Sequence, residues 1–241
     1  MAPGRVDQSG TTILQLEQVG LGYGDGPEVL QDLDLRLGAG SFHFLMGPSG
    51  AGKSSLLRLL SLTHPPSRGR FLLFGHEVAQ LDRAASTQLR KRIGVVFQDL
   101  RLLDHLSAFE NVALPLRLGG ADGDQVTRHV CDLLAWLGLG AVQDRKPPEL
   151  SMGQRQLVAV GRAVIGRPSL LLADEPTSSV DSAHAGRLLH LFLSLHRLGT
   201  TVVFATHNQR LPRHYRFPVL EMAAGRLTPR PAQPAPVPLS A

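Results

Sequence analysis

Gly47-Pro48-Ser49-Gly50-Ala51-Gly52-Lys53-Ser54 spells G-x-x-x-x-G-K-[ST], the spacing of a phosphate-binding loop. Glycines let the backbone curl so that several N–H groups converge on one anion. A helix N-terminus behind the loop adds its partial positive charge. In such a loop Lys53 reaches the β- and γ-phosphates and the Ser54 hydroxyl holds Mg²⁺. The flanks suit the motif: Ser41 to Met46 reads as an apolar strand, and Ser55-Leu56-Leu57-Arg58-Leu59-Leu60 as the first turns of a helix.

A second chemical group follows far downstream. Leu170-Leu171-Leu172-Ala173-Asp174-Glu175-Pro176 is an apolar strand ending in two carboxylates. Its buried part delivers Asp174 beside the loop, where a carboxylate suits Mg²⁺ that offsets charge developing during phosphoryl transfer. Glu175, one residue on, is placed to polarise a water in line with the γ-phosphate.

These groups need a scaffold. Thr12 to Val19 alternates Ile13, Leu14, Leu16 and Val19 with Gln15, Glu17 and Gln18, which predicts a half-buried strand. Leu33 to Leu37 alternates as Leu-Asp-Leu-Arg-Leu, a second strand. Short strands are expected at Phe71 to Phe74 and Ile93 to Phe97, with a polar helix over Leu81 to Arg92 between them. Ala108 to Leu118 and Val126 to Leu137 carry apolar residues at three- and four-residue spacing. The segment of about 99–166 therefore reads as a helical subdomain inserted in an α/β core. Leu170 to Ala173 and Thr201 to Ala205 read as strands covered on both faces, with an amphipathic helix over Ala183 to Leu198 between them. Alternating strands and helices predict a doubly wound, mostly parallel sheet, preceded by an antiparallel N-terminal β region. Residues 1–11 read as a flexible leader, 12–227 as the folded domain and 228–241, rich in proline, as a disordered tail.

Composition narrows the classes. No apolar run approaches the ~20 residues of a transmembrane helix, and the N-terminus lacks the order of a signal peptide. Cys131, the one cysteine, allows no internal disulfide; it reads as a buried, inert thiol in a reducing compartment. The net charge of +5 is compatible with nucleic acid, an anionic membrane face or ordinary solubility. The basic residues are scattered, so nucleic acid is not expected.

Leu150-Ser151-Met152-Gly153-Gln154, ahead of a helix-compatible run from Arg155 to Gly166, resembles the LSGGQ signature of ATP-binding-cassette (ABC) ATPases. The order of other elements is similar too: Tyr23 before the loop, Gln98 closing a strand, Ser179-Val180-Asp181 after the acidic pair, and Thr206-His207 ending the last strand. The resemblance spans about residues 12 to 226. It implies a P-loop NTPase core of RecA-like type and an ATPase that uses ATP and Mg²⁺. It further implies a homodimer that sandwiches ATP head to tail. Tyr23 would stack on adenine, and Gly47, Pro48, Ser49, Gly50, Ala51, Gly52, Lys53, Ser54 and Ser55 would hold the phosphates. Ser151, Gly153 and Gln154 of one copy would face the γ-phosphate bound by the other, consistent with a helix N-terminus as an anion site. Ser54, Gln98 and Asp174 would serve Mg²⁺. Glu175, His207 and Gln98 would carry hydrolysis, and Asp181 would contact the opposite copy.

Met152 replaces the first glycine of the signature pair, Leu157 stands where the family has arginine, and Ser55 where threonine is common. Slow but real hydrolysis is expected. The segment from Val96 to Leu106, then Phe109 to Leu116, resembles the FtsE family of cell-division ATPases, whose membrane partner is FtsX. Leu100, Leu102, Leu103 and Leu106 form either a docking patch for that partner or an internal packing face. The resemblance implies a protein peripheral on the cytoplasmic face of the inner membrane. Lipoprotein-release and macrolide-export ATPases share this region and remain alternatives. So does a nucleotide-responsive scaffold that barely hydrolyses. A soluble cassette acting on nucleic acid or ribosomes is a third class, but it carries two cassettes or a long inserted arm, and neither is present.

Overall fold

A computed structural model describes residues 11–24 and 26–232. Two sheets divide the chain. In the first, β1 (Thr12–Gly22), β2 (Glu28–Gly38), β4 (Arg68–Leu73) and β5 (His76–Glu77) lie in the order β2-β1-β4-β5, all antiparallel. The alternation seen in β2 buries Leu33, Leu35 and Leu37 on one face. β1 loses its alternation near Gln18 (φ 50), where the pairing with β2 shifts between Leu16 and Val19. A bulge there turns Val19 and Leu21 back to the core.

The second sheet holds β3 (Phe42–Met46), β6 (Ile93–Val96), β7 (Leu170–Asp174), β8 (Thr201–Ala205), β9 (Val219–Ala223) and β10 (Arg226–Arg230). Its order is β10-β9-β3-β8-β7-β6. All pairs are parallel except β9 with β10. Every residue of β7 and β8 is buried, because helices and the first sheet cover the two faces. One core lies between the sheets around α1 (Lys53–Leu60), with α2 (Arg83–Lys91) at its margin. The other lies under α3 (Ala108–Leu118), α4 (Gly123–Trp136), α5 (Met152–Val164) and α6 (Ser182–Arg197), with α7 (Arg210–Tyr215) beside them. β6 and β7 are joined through α3, α4 and α5, β7 and β8 through α6.

Three sequence expectations are corrected. The folded domain does not stop at residue 227: Thr228, Pro229 and Arg230 complete β10, paired with Glu221, Leu220 and Val219. β10 is an edge strand, where a proline is tolerated because one side needs no N–H. Thr11, placed in the leader, accepts a hydrogen bond from Ala39 N at 2.9 Å; the rest of the leader and residues 233–241 of the tail lie outside the described residues. Cys131 is half-buried rather than buried, with Sγ 3.8 Å from Gln143 Oε1, because it sits beside the core-facing Val130 of α4.

Candidate functional site

The phosphate-loop residues lie between β3 and α1. Gly47 has φ 150, and a Cβ there would overlap the Met222 carbonyl of β9. Gly52 has φ 106 and caps α1 without a side chain, leaving the first N–H groups of the helix unclaimed by any cap. Such a backbone cannot be copied by larger residues. Lys53 Nζ donates to the carbonyls of Gly47 and Pro48 at 2.7 and 3.1 Å, so the ammonium stays within its own loop.

Asp174 ends β7 and accepts a 2.6 Å hydrogen bond from Ser54 Oγ, joining residues 120 positions apart. The pair offers adjoining oxygens of the kind a hard cation takes. Glu175 follows in left-handed backbone, φ 49. Its N–H donates to Ala205 O at 3.1 Å, and its carbonyl accepts from Ser178 N and Oγ at 3.2 and 3.0 Å. A non-glycine residue in that region persists only when its surroundings hold it there, and such residues gather at functional sites. His207, just beyond β8, brings Nδ1 to 3.0 Å from Glu175 Oε1. Gln98 lies two residues past β6.

One cleft of about 650 Å³ collects Gly47, Pro48, Ser49, Gly50, Gly52, Lys53, Ser54, Ser55, Gln98, Asp174, Glu175 and His207, a volume suited to a small organic ligand. Ala51 belongs to the same loop but is buried. Tyr23 stands outside the lining: its hydroxyl donates to Ser55 Oγ at 3.1 Å and its ring meets His64 edge-on. Val29 and Ser178 line the cleft, and nothing in their sequence context marks them. The β9–β10 turn was also illegible as a support, yet Gly225 N donates to Ala51 O at 3.1 Å and braces the loop from behind.

Ser151, Gly153 and Gln154 do not line this cleft. Ser151 caps α5, its Oγ accepting from Gln154 N at 3.2 Å while Gln154 Oε1 accepts from Ser151 N at 2.9 Å. This capping box satisfies two helix-end donors. Met152 occupies the first helical position at negative φ and is 52 % exposed, so the missing glycine costs no backbone strain. The bare Cα of Gly153 lies against Ser179 O. Leu157 is buried in the helical core. Asp181 caps α6: it accepts from His184 N at 2.9 Å and pairs with His184 Nδ1 at 2.6 Å, and these bonds hold its carboxyl below the usual range. In the apolar segment, Leu100 is buried, Leu102 and Leu106 are half-buried and Leu103 is 36 % exposed. Among the described residues no helix is long and apolar enough to cross a membrane.

Comparison with known proteins accords with this site. The ABC transporter family profile matches residues 30–178. The cell division ATP-binding protein FtsE of Escherichia coli K12 is 38 % identical over 215 residues, 89 % of this chain and 97 % of that protein. FtsE of Mycobacterium tuberculosis is 39 % identical over 198 residues, 82 % and 86 % of the two chains. The methionine import ATP-binding protein MetN of Xylella fastidiosa is 40 % identical over 209 residues, covering 85 % of this chain and 62 % of that one. Among solved structures, a dimeric post-hydrolysis state of the ATP-binding cassette MJ0796 bound to ADP and Pi superposes with TM-score 0.85 at 30 % identity, over 92 % of this chain and all of that one. Loop, acidic strand end and capped signature helix thus occur together in a P-loop fold matched along most of its length, and the chain belongs to the ABC transporter family as an ATP-binding cassette ATPase.

Proposed function

We propose that this chain is the ATP-hydrolysing subunit of an FtsE-type complex, binding ATP with Mg²⁺, pairing with a second copy and driving an integral membrane partner of FtsX type at the cytoplasmic face of the inner membrane. The observation that carries the dimer is the separation of two anion-seeking features. The phosphate loop lines the cleft, whereas the Ser151 tip does not. A signature that acts on the γ-phosphate therefore acts in the cleft of another copy.

The residues fit the ligands. Backbone N–H groups from Gly50 to Ser54 and the Lys53 ammonium bind the phosphates. Ser54 Oγ and Asp174 Oδ2, already 2.6 Å apart, hold the metal with Gln98. Bound there, Mg²⁺ would supply positive charge that offsets the charge developing on the phosphates. Glu175 accepts a proton from the attacking water, and His207 orients that carboxylate through the 3.0 Å contact. Tyr23 receives the adenine by moving from its edge contact with His64, and Asp181 meets the opposite copy.

Purification of the chain with candidate membrane subunits tests the partner. Retention of a four-span protein with a large extracytoplasmic loop supports the FtsE-type reading. The 40 % identity to MetN favours a second reading, an importer cassette, and retention of an importer permease instead would establish it.

A further inference from the structure

Arg162 sits on α5, the helix capped by Ser151. One terminal nitrogen of its guanidinium donates to Arg101 O at 2.7 Å and the other to Leu100 O at 2.7 Å. The first also lies 3.5 Å from Asn111 Oδ1. All three partners are neutral oxygens, and burial draws the guanidinium below its ordinary pKa. A half-buried cation with no counter-charge among these partners is costly, and what it supplies here is a pair of donors aimed at two carbonyls.

Those donors meet an unusual target. Leu100 and Arg101 are consecutive and both lie in left-handed backbone, φ 56 and 48. Non-glycine residues enter that region singly and at a cost. The carbonyls taken by Arg162 are those of these two residues. The far end of the same loop is fastened by Asn111, fully buried on α3. Its amide nitrogen donates to the carbonyls of Leu103, Leu106 and Ser107, and its Oδ1 accepts from Leu103 N at 2.9 Å. The Arg101 side chain turns onto Asp99 and the Phe97 ring and so braces the loop only within itself. The near end of the loop is Gln98, in the nucleotide cleft.

We propose that Arg162 is a positioning residue for ATP hydrolysis: its forked grip on the Leu100 and Arg101 carbonyls holds Gln98 in the cleft and ties that placement to the helix bearing Ser151. The inference rests on Gln98 belonging to the hydrolytic site. Ser151 and Arg162 are eleven positions apart, about 16 Å along a helix, so α5 acts as a stiff rod between the loop of one cleft and the tip that serves the other. Lysine keeps the charge but lacks the planar fork that reaches two oxygens.

The test measures ATP turnover of the full chain and of its R162K, Q98A and R162K/Q98A variants, with hydrogen exchange at residues 99–106. R162K is expected to lower kcat about tenfold while KM for ATP stays within about twofold, the signature of misplacement rather than lost binding. On the Q98A background the same change is expected to cost less than about twofold, because both act through one group. Amides of 99–106 exchange faster in R162K than in the parent. Unchanged kcat in R162K beside an impaired Q98A, or losses that multiply, overturns the inference alone. An unimpaired Q98A removes the assignment of Gln98 and this inference with it.

Discussion

His207 Nδ1 lies 3.0 Å from Glu175 Oε1, although the histidine side chain is 77 % exposed and the glutamate only 14 %. The two come from the ends of neighbouring parallel strands, β8 and β7. The glutamate backbone is pinned by its own hydrogen bonds, and the histidine ring stands in solvent. That asymmetry suits a sheltered base whose orientation depends on an exposed partner.

Glu175→Gln is therefore expected to lower phosphate release by about 10²-fold or more while ATP still binds. His207→Ala should lower it less, since the carboxylate remains. Turnover assays beside nucleotide-binding titrations check both. An E175Q protein as fast as the parent would remove Glu175 from the chemistry.

The 2.6 Å contact between Ser54 Oγ and Asp174 Oδ2 predicts a shared loss of metal affinity. Asp174→Asn should weaken Mg²⁺ binding at the nucleotide site, raising the Mg²⁺ midpoint by at least about tenfold, and Ser54→Ala should do the same more mildly. Titration of Mg²⁺ at fixed ATP reads the effect; a D174N midpoint equal to that of the parent contradicts the metal assignment.

The cap that Ser151 makes and the cross-copy contact proposed for it separate experimentally. Ser151→Ala removes the cap of α5 and should cost about 1 kcal/mol of stability, seen as a lower Tm. Ser151→Thr keeps an oxygen acceptor and should restore most of it. In an E175Q background, ATP should assemble dimers of the parent and of the threonine variant but not of the alanine one, as read by light scattering. Met152→Gly should raise turnover several-fold if the exposed side chain crowds the opposite γ-phosphate, at a cost of up to about 1 kcal/mol from glycine inside a helix.

His43 is buried on β3, and neither ring nitrogen has a hydrogen-bond partner. Burial first, and then His196, push its pKa from 6.5 down to about 4. The folded state thus holds it neutral where the unfolded chain would protonate it. Stability from this group is complete above pH 6.5 and is lost as pH falls from there toward 4, by about 3 kcal/mol in all. His43→Phe should flatten that limb of a Tm-against-pH curve; an equal slope in both proteins counts against it.

Much of the site was legible because its signals are local. The glycine spacing around Lys53, the apolar run ending at Asp174 and the serine followed three residues later by Gln154 each encode a backbone geometry within one short segment. Leu33, Leu35 and Leu37 announced their strand in the same way. The comparisons then bear out the P-loop fold and the ABC ATPase family that these signals implied.

The tail was misread for a local reason too. Prolines at 229 and 231 speak against a strand, and only the position of β10 at the sheet edge makes Pro229 acceptable. The resemblance assigns Asp181 to the opposite copy and the Tyr23 ring to adenine, and it gives no sign that the Asp181 carboxylate caps a helix or that the Tyr23 hydroxyl bonds Ser55.

The amino-acid sequence by itself determined which segments can curl around phosphate, end in carboxylates or begin a capped helix, since those properties depend on residues within a few positions of one another. Tertiary structure alone decided that the β9–β10 turn backs the loop and that Arg162 reaches the carbonyls after Gln98. A strand's periodicity shows which face is buried but not which strand lies beside it, and a donor on one helix carries no mark of the carbonyl it will meet across 61 residues.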